Sequence, residues 1–180
     1  MSNLIQDKIL ALAPAATVKE GEVLTVTVPA ENFHAVAQML RDDKEMQFDC
    51  LVCVTGADWG ETMGVVYHLR STVLGHEVVL RQQTADRENP VLPTVSDLWH
   101  SANLNEREVF DYFGIRFAGH PDMRRLFLRN DWKGYPLRKD YDANPELNPV
   151  PTTNEEPEDE TTEIEFKDGK LEVSDHQLFD

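Results

Sequence analysis

EVLTVTVPAENFHAVAQML, residues 22–40, changes its period half-way. Up to Pro29 the apolar side chains alternate, Leu24, Val26 and Val28 against Val23, Thr25 and Thr27, which is the pattern of a half-buried strand. Beyond it Phe33, Val36, Ala37 and Leu40 recur at i, i+3, i+4 and i+7. Residues 30–42 therefore read as a helix with one apolar stripe, opened by a proline that already has helical φ. A strand wet on one side, followed by a helix apolar on one side, is a helix laid on a sheet.

Three more strands follow, at about 47–55, 63–73 and 76–84, with Gly56, Gly60 and Gly75 marking the turns. Short connections join antiparallel neighbours, so these three predict a meander. Upstream, the opening residues read as an amphipathic helix with Leu4, Ile5, Ile9 and Leu12 on one side. Asp7 and Pro14 break the pattern a signal peptide would need. The order α-β-α-β-β-β predicts an α+β fold: a mixed or antiparallel sheet with helices packed on one face, then an extended C-terminal docking segment and an acidic tail.

RENPVLPT, residues 87–94, reads as a proline-punctuated connector, after which the chain turns helical in two pieces. Asn103 stands three residues before Glu106 in the spacing of a capping box, and Gly114 is placed to end the second piece, 104–113, in the left-handed conformation. On that helix Val109, Phe110, Tyr112 and Phe113 define an apolar side, leaving Arg107 and Asp111 as an i, i+4 pair on the other.

The chain of 180 residues carries a net charge of −16, most of it in residues 142–180, where thirteen Asp/Glu face two Lys. Residues 116–139 run the other way, with seven Arg/Lys against Asp122 and Asp131. We expect one domain over residues 1–141, with the docking segment at 114–141. Residues 142–180 form a linker and acidic tail, in which TEIEFKDGKLEVSD carries a β-hairpin signal. No apolar run approaches the roughly 20 residues needed to cross a bilayer.

Cys50 and Cys53 are the only cysteines. Three apart in a regular strand, their thiols point to opposite faces, which argues against a dithiol or half a zinc site, and an iron–sulfur cluster normally takes four. The histidines lack metal-ligand spacing, and phosphate-cradle and nucleophile-elbow motifs are absent. An acid–base reading would use Glu108 or Asp111 with His120 and Asp122, but nothing nearby supplies a nucleophile. A nucleic-acid reading would use Arg116, Arg124, Arg125, Arg129, Lys133, Arg138 and Lys139 with Trp132 and Tyr135 stacking, against the repulsion of an acidic body and tail. Docking onto another protein fits the composition best, because Arg, Tyr, Trp and Phe are the residues enriched at interface centres.

EREVFDYFGIRFAGHPDMRRLF (106–127), LPTVSDLWHSAN (92–103) and GYPLRKDY (134–141) together resemble the signature of the respiratory complex I 30-kDa subunit family, the C-type subunits of NADH-quinone oxidoreductase. The resemblance covers roughly residues 20–141. By position, Glu106, Arg107, Glu108, Asp111, Gly114, His120, Pro121, Arg124, Arg125, Pro136, Leu137, Arg138, Lys139 and Asp140 match, as interface and scaffold residues. Leu104 stands where Trp is common, Met123 where Leu is common and Tyr135 where His is common.

The resemblance implies a cofactor-free subunit of the peripheral arm, on the cytoplasmic side of the cell membrane and attached to it only through the complex. It supports electron transfer from NADH to quinone coupled to cation translocation and has no catalytic residues of its own. FMN and iron–sulfur clusters belong to partner subunits. The implied neighbours are the quinone-site subunit, a relative of the hydrogenase large subunit, and the subunit with the terminal cluster. Some members are fused to the quinone-site subunit; with a chain ending at Asp180, that partner is expected as a separate polypeptide. Membrane-bound nickel–iron hydrogenases use similar subunits.

Overall fold

The computed structural model describes residues 2–144, together with the backbone of 162–167 and 170–175. Its elements run α1 (Ser2–Leu12), β1 (Thr17–Lys19), β2 (Leu24–Thr27), α2 (Ala30–Asp42), β3 (Cys50–Asp58), β4 (Met63–Arg70), β5 (Glu77–Thr84), β6 (Val91–Pro93), α3 (His100–Phe113) and β7 (Arg116–Ala118). β8 (Thr162–Lys167) and β9 (Lys170–Asp175) follow. Five strands make one mixed sheet in the order β1-β2-β5-β4-β3. β3, β4 and β5 form the expected antiparallel meander, whereas β2 lies parallel to β5, which α2 makes possible as part of the long crossover.

One face of the sheet is buried under the helices. Leu24, Val26, Tyr67, Leu69, Val78 and Leu80 meet Phe33, Val36, Ala37 and Leu40 of α2, and the Phe33 and Tyr67 rings lie 5.0 Å apart. On α1 the inward row is Ile5 and Ile9, continued by Ala13 just past its end; Leu4 and Leu12 are exposed, so the stripe is narrower than the sequence suggests. A short helix resting on the margin of the core turns only its i, i+4, i+8 row inward.

Three local features depart from expectation. β3 continues through Gly56, which marks no turn: a Cβ there would stand 2.5 Å from the Phe113 ring and 3.0 Å from Val109, so the glycine lets α3 press onto the strand. β3 also carries a bulge between Leu51 and Cys53 that places Cys50 opposite Arg70 and Cys53 opposite His68. Both partners point to the open face, so the extra residue brings the two cysteines to the same side of the sheet, where the regular period would have split them. Third, the connector and the start of the docking segment contain β6 and β7, paired in parallel with Leu92 opposite Phe117. α3 is therefore the crossover of a small β-α-β unit, one continuous helix of 14 residues.

That helix starts four residues before the expected 104. Its N-cap is Trp99, without a side-chain cap bond, and Asn103 and Glu106 form no capping box. Its end is as read: Gly114 has φ 72° and its N–H bonds to the Phe110 carbonyl at 2.8 Å. In the tail, β8 and β9 pair antiparallel with Ile164 opposite Val173 and Phe166 opposite Leu171, while the acidic linker before them lies outside the described residues.

Candidate docking surface

α3 buries three charged residues: Glu106 and Asp111 at 0% exposure and Arg107 at 5%. The amphipathic reading placed Arg107 and Asp111 together on a wet face, but each turns instead to the ribbon that follows β7. Residues 119–141 contain no helix or strand, so their backbone groups need partners from elsewhere. The α3 charges supply them.

Asp111 takes the largest share. Its Oδ2 accepts the backbone N–H groups of Leu126, Phe127 and Leu128 at 3.2, 2.7 and 2.8 Å, and its Oδ1 accepts Arg125 Nη1 at 2.9 Å. A carboxylate collecting three consecutive amides folds the ribbon around itself. Arg107 works from the other side, donating to the Arg124 and Arg125 carbonyls at 3.1 and 2.9 Å and to Asp122 Oδ2 at 3.2 Å. Arg125 extends the clamp through Nη2 to the Trp132 and Gly134 carbonyls. The guanidinium forks of Arg107 and Arg125 are thus occupied by the chain's own carbonyls.

Further along, Tyr135 lies over Gly114, where a Cβ would come within 2.5 Å of its ring. The ring sits edge-on to Phe110 at 6.0 Å, with the guanidinium of Arg125 5.3 Å and that of Arg138 6.0 Å from its centre. The Leu137 N–H bonds the Tyr112 carbonyl at 3.0 Å. At the far end Asp58, its side chain 2% exposed, holds Arg87 at 2.6 Å and accepts the Lys139 N–H at 2.9 Å. Arg87 reaches Asp140, and Arg138 donates to the Arg87 carbonyl. The Arg87 guanidinium, aided by the Lys139 and Gly60 amides, holds the Asp58 carboxyl well below the ordinary carboxylate range against the opposing effect of burial. Nothing in the sequence pointed to Asp58 or Arg87, which reach the ribbon from 81 and 51 residues away.

The acid–base candidates do not converge. Glu108 is exposed and Asp111 is engaged by Arg125 and backbone. His120 donates from Nε2 to the Asn103 carbonyl at 3.1 Å and accepts the Asp122 N–H on Nδ1 at 3.0 Å. Burial lowers its pKa, in keeping with a neutral ring that pins the start of the ribbon. Among the basic residues, Arg124 and Arg129 pair with Asp122 and Asp131, while Lys133 and Lys139 are exposed. Pro121 is exposed and Pro136 half-buried beside Tyr135.

Beside its exposed charges the clamped ribbon presents two large apolar side chains outward. Phe127 is 63% exposed and Leu137 56%, flanking Tyr112, whose ring stacks on Phe127 with centroids 6.1 Å apart.

The family model described as "Respiratory-chain NADH dehydrogenase, 30 Kd subunit" matches residues 26–146, which takes in α2, β3 to β7, α3 and the entire ribbon. The chain belongs to that family. Within it, the NADH-quinone oxidoreductase C/D protein of Phocaeicola vulgatus is 54% identical over 157 residues, covering 86% of this chain and 30% of that protein. The NADH-quinone oxidoreductase C protein of Acidithiobacillus ferrooxidans is 41% identical over 147 residues, covering 76% of this chain and 71% of that one. This member of the 30-kDa family therefore spans about 30% of the length of the C/D relatives it matches. Among solved structures, a chain of the membrane-bound sulfane sulfur reductase, an archaeal respiratory membrane complex, superposes with a TM-score of 0.66 at 28% identity, covering 81% of this chain and 88% of that one. Among the described residues no cluster of His, Cys, Asp and Glu could hold a metal ion, and no helix is long and apolar enough to cross a membrane.

Proposed function

We propose that this chain is a peripheral-arm subunit of an NADH:quinone oxidoreductase that carries no cofactor and performs no chemistry alone. Its task is to hold together the module in which electrons, passed along the iron–sulfur clusters of other subunits, reach quinone. Its position is peripheral, on the cytoplasmic side of the cell membrane, reached only through the complex. The quinone-site subunit and the subunit with the terminal cluster are its proposed neighbours.

The observation that carries this reading is the ribbon itself: the family match runs through it, and its own side chains hold it so that Phe127 and Leu137 face outward. The signature residues then divide between two tasks. Glu106, Arg107, Asp111, Gly114, His120, Arg125 and Arg138 shape the surface from within; Leu137, Lys139 and Arg124 form it, together with Phe127, which is not one of the matched residues. The likeness to a chain of a sulfane sulfur reductase indicates that the fold serves more than one respiratory complex. The relatives 40 to 54% identical, all named for NADH-quinone oxidoreductase, favour that enzyme over a hydrogenase.

The test is a tagged chain expressed in its own host. Wild type is expected to bring down subunits containing iron–sulfur clusters and NADH:quinone activity. Phe127→Ser with Leu137→Ser is expected to lose them while keeping the melting temperature of the isolated chain. Full recovery of the complex with the double variant would refute the docking role. Stoichiometric iron in the isolated chain would refute the cofactor-free reading.

A further inference from the structure

Glu106 and Asp111 stand five residues apart on one helix and are equally buried, yet their surroundings are opposite. Asp111 faces a guanidinium and three amides. Glu106 faces only neutral groups: the Thr94 hydroxyl on Oε2, the Val95 N–H at 3.0 Å and the Tyr67 hydroxyl at 3.4 Å on Oε1. Tyr67 in turn accepts Gln82 Nε2 at 2.8 Å, and Gln82 also donates to the Pro93 carbonyl. Thr94 Oγ lies 2.9 Å from Ser96 Oγ and accepts the Ser96 N–H.

Every element packed here contributes. β4 supplies Tyr67, β5 Gln82, the turn before α3 Thr94, Val95 and Ser96, and α2 the Phe33 ring behind Tyr67. The charged groups around the cluster do not help an ionised Glu106. Asp97 is a carboxylate whose field opposes ionisation, and its own partner is His34 of α2, at 2.9 Å. Arg107, next along α3, is committed to Asp122 and the ribbon carbonyls. Among the described residues no Lys, Arg or His bonds Glu106.

The surrounding hydroxyls accommodate a carboxylic acid. Glu106 can donate through Oε2 to Thr94, which then donates to Ser96 across a contact of 2.9 Å.

We propose that Glu106 is a proton-binding site at the root of α3: the folded chain keeps a carboxylic acid there at neutral pH, and loss of the proton loosens the seat of α3 on β4, β5 and the β6–α3 turn. The same helix clamps the ribbon through Arg107 and Asp111, so the proton is linked to the surface that the ribbon presents. Burial drives the affinity, with the field of the Asp97 carboxylate adding to it, and lifts the carboxyl to about 8 against the three hydrogen bonds that oppose the shift.

The direct measurement is a carbon-13 NMR titration of the full chain, labelled at glutamate side-chain carboxyls and assigned with Glu106→Gln. One carboxyl, missing in the variant, is expected to titrate near or above neutral pH. Titration of that carboxyl in the ordinary range, near pH 4 to 5, would overturn the proposal. Stability gives a second readout. A folded pKa above the unfolded one means that stability is fully present below the unfolded value and is lost as pH rises through the folded one. The wild-type folding constant should therefore fall by roughly three orders of magnitude between about pH 5 and pH 8 relative to that of Glu106→Gln, which mimics the acid. Parallel pH profiles would also overturn it. Should Glu106→Gln not fold, assignment moves to Thr94→Val, which is expected to shift the same resonance; a carboxyl that ignores Thr94→Val refutes the arrangement.

Discussion

Replacing Asp111 by alanine should cost about 3–5 kcal/mol, because it breaks a buried pair and leaves Arg125, only 13% exposed at its side chain, without its counter-charge. The three ribbon amides on Oδ2 lose their acceptor as well, but Leu126, Phe127 and Leu128 lie near the surface, so water recovers part of that loss. The pair is therefore the dominant contribution. At roughly 2–4 °C per kcal/mol for a domain of this size, the melting temperature should fall by about 6–20 °C. Calorimetry gives the global number, and hydrogen exchange followed by NMR locates it: amides 126–128 should lose protection before those of β4 and β5, since the ribbon has no ladder of its own. Asp111→Asn, which keeps an acceptor for the amides but not the charge, should fall between wild type and alanine. A loss under about 1 kcal/mol with unchanged protection of the three amides would refute the clamp.

Gly114→Ala should destabilise by about 2–4 kcal/mol, since an L side chain at φ 72° is strained and its Cβ would displace the Tyr135 ring; equilibrium unfolding against wild type measures it. Asp58→Asn should flatten the acid limb of stability. The depressed carboxyl of Asp58 contributes stability that is present above the ordinary carboxylate range and lost as pH falls, so wild type should unfold more steeply on acidification than the variant, followed by circular dichroism. The His120 ring, its pKa lowered by burial, should titrate below free histidine in a proton NMR experiment and protonate from the Nε2–H tautomer; its stabilisation is complete above the unfolded value near 6.5 and declines below it.

The sequence alone determined the parts in which one local pattern answers one local question. The change from period two to period 3.6 at Pro29 fixed β2 and α2, short glycine turns fixed the meander, and Gly114 fixed the end of α3, because each depends on neighbours within a few residues. The family signature was legible in the same way, as residue types in order. The tertiary structure decided which way the charges point. Arg107 and Asp111 have the spacing of an exposed i, i+4 pair, and only the ribbon folding back over α3 buries them and gives each a separate partner. Glu106 has the spacing of a capping residue and becomes a buried acid because Thr94, Tyr67 and Gln82 arrive from three other elements. Asp58 and Arg87 carried no signal, since their contacts with the ribbon are separated by more than fifty residues of chain. Even the cysteines turned on a single bulge, which a periodic reading cannot foresee. Hydrophobic periodicity records which face of an element is covered; what a buried charge meets depends on contacts between distant segments, and these exist only once the chain has folded.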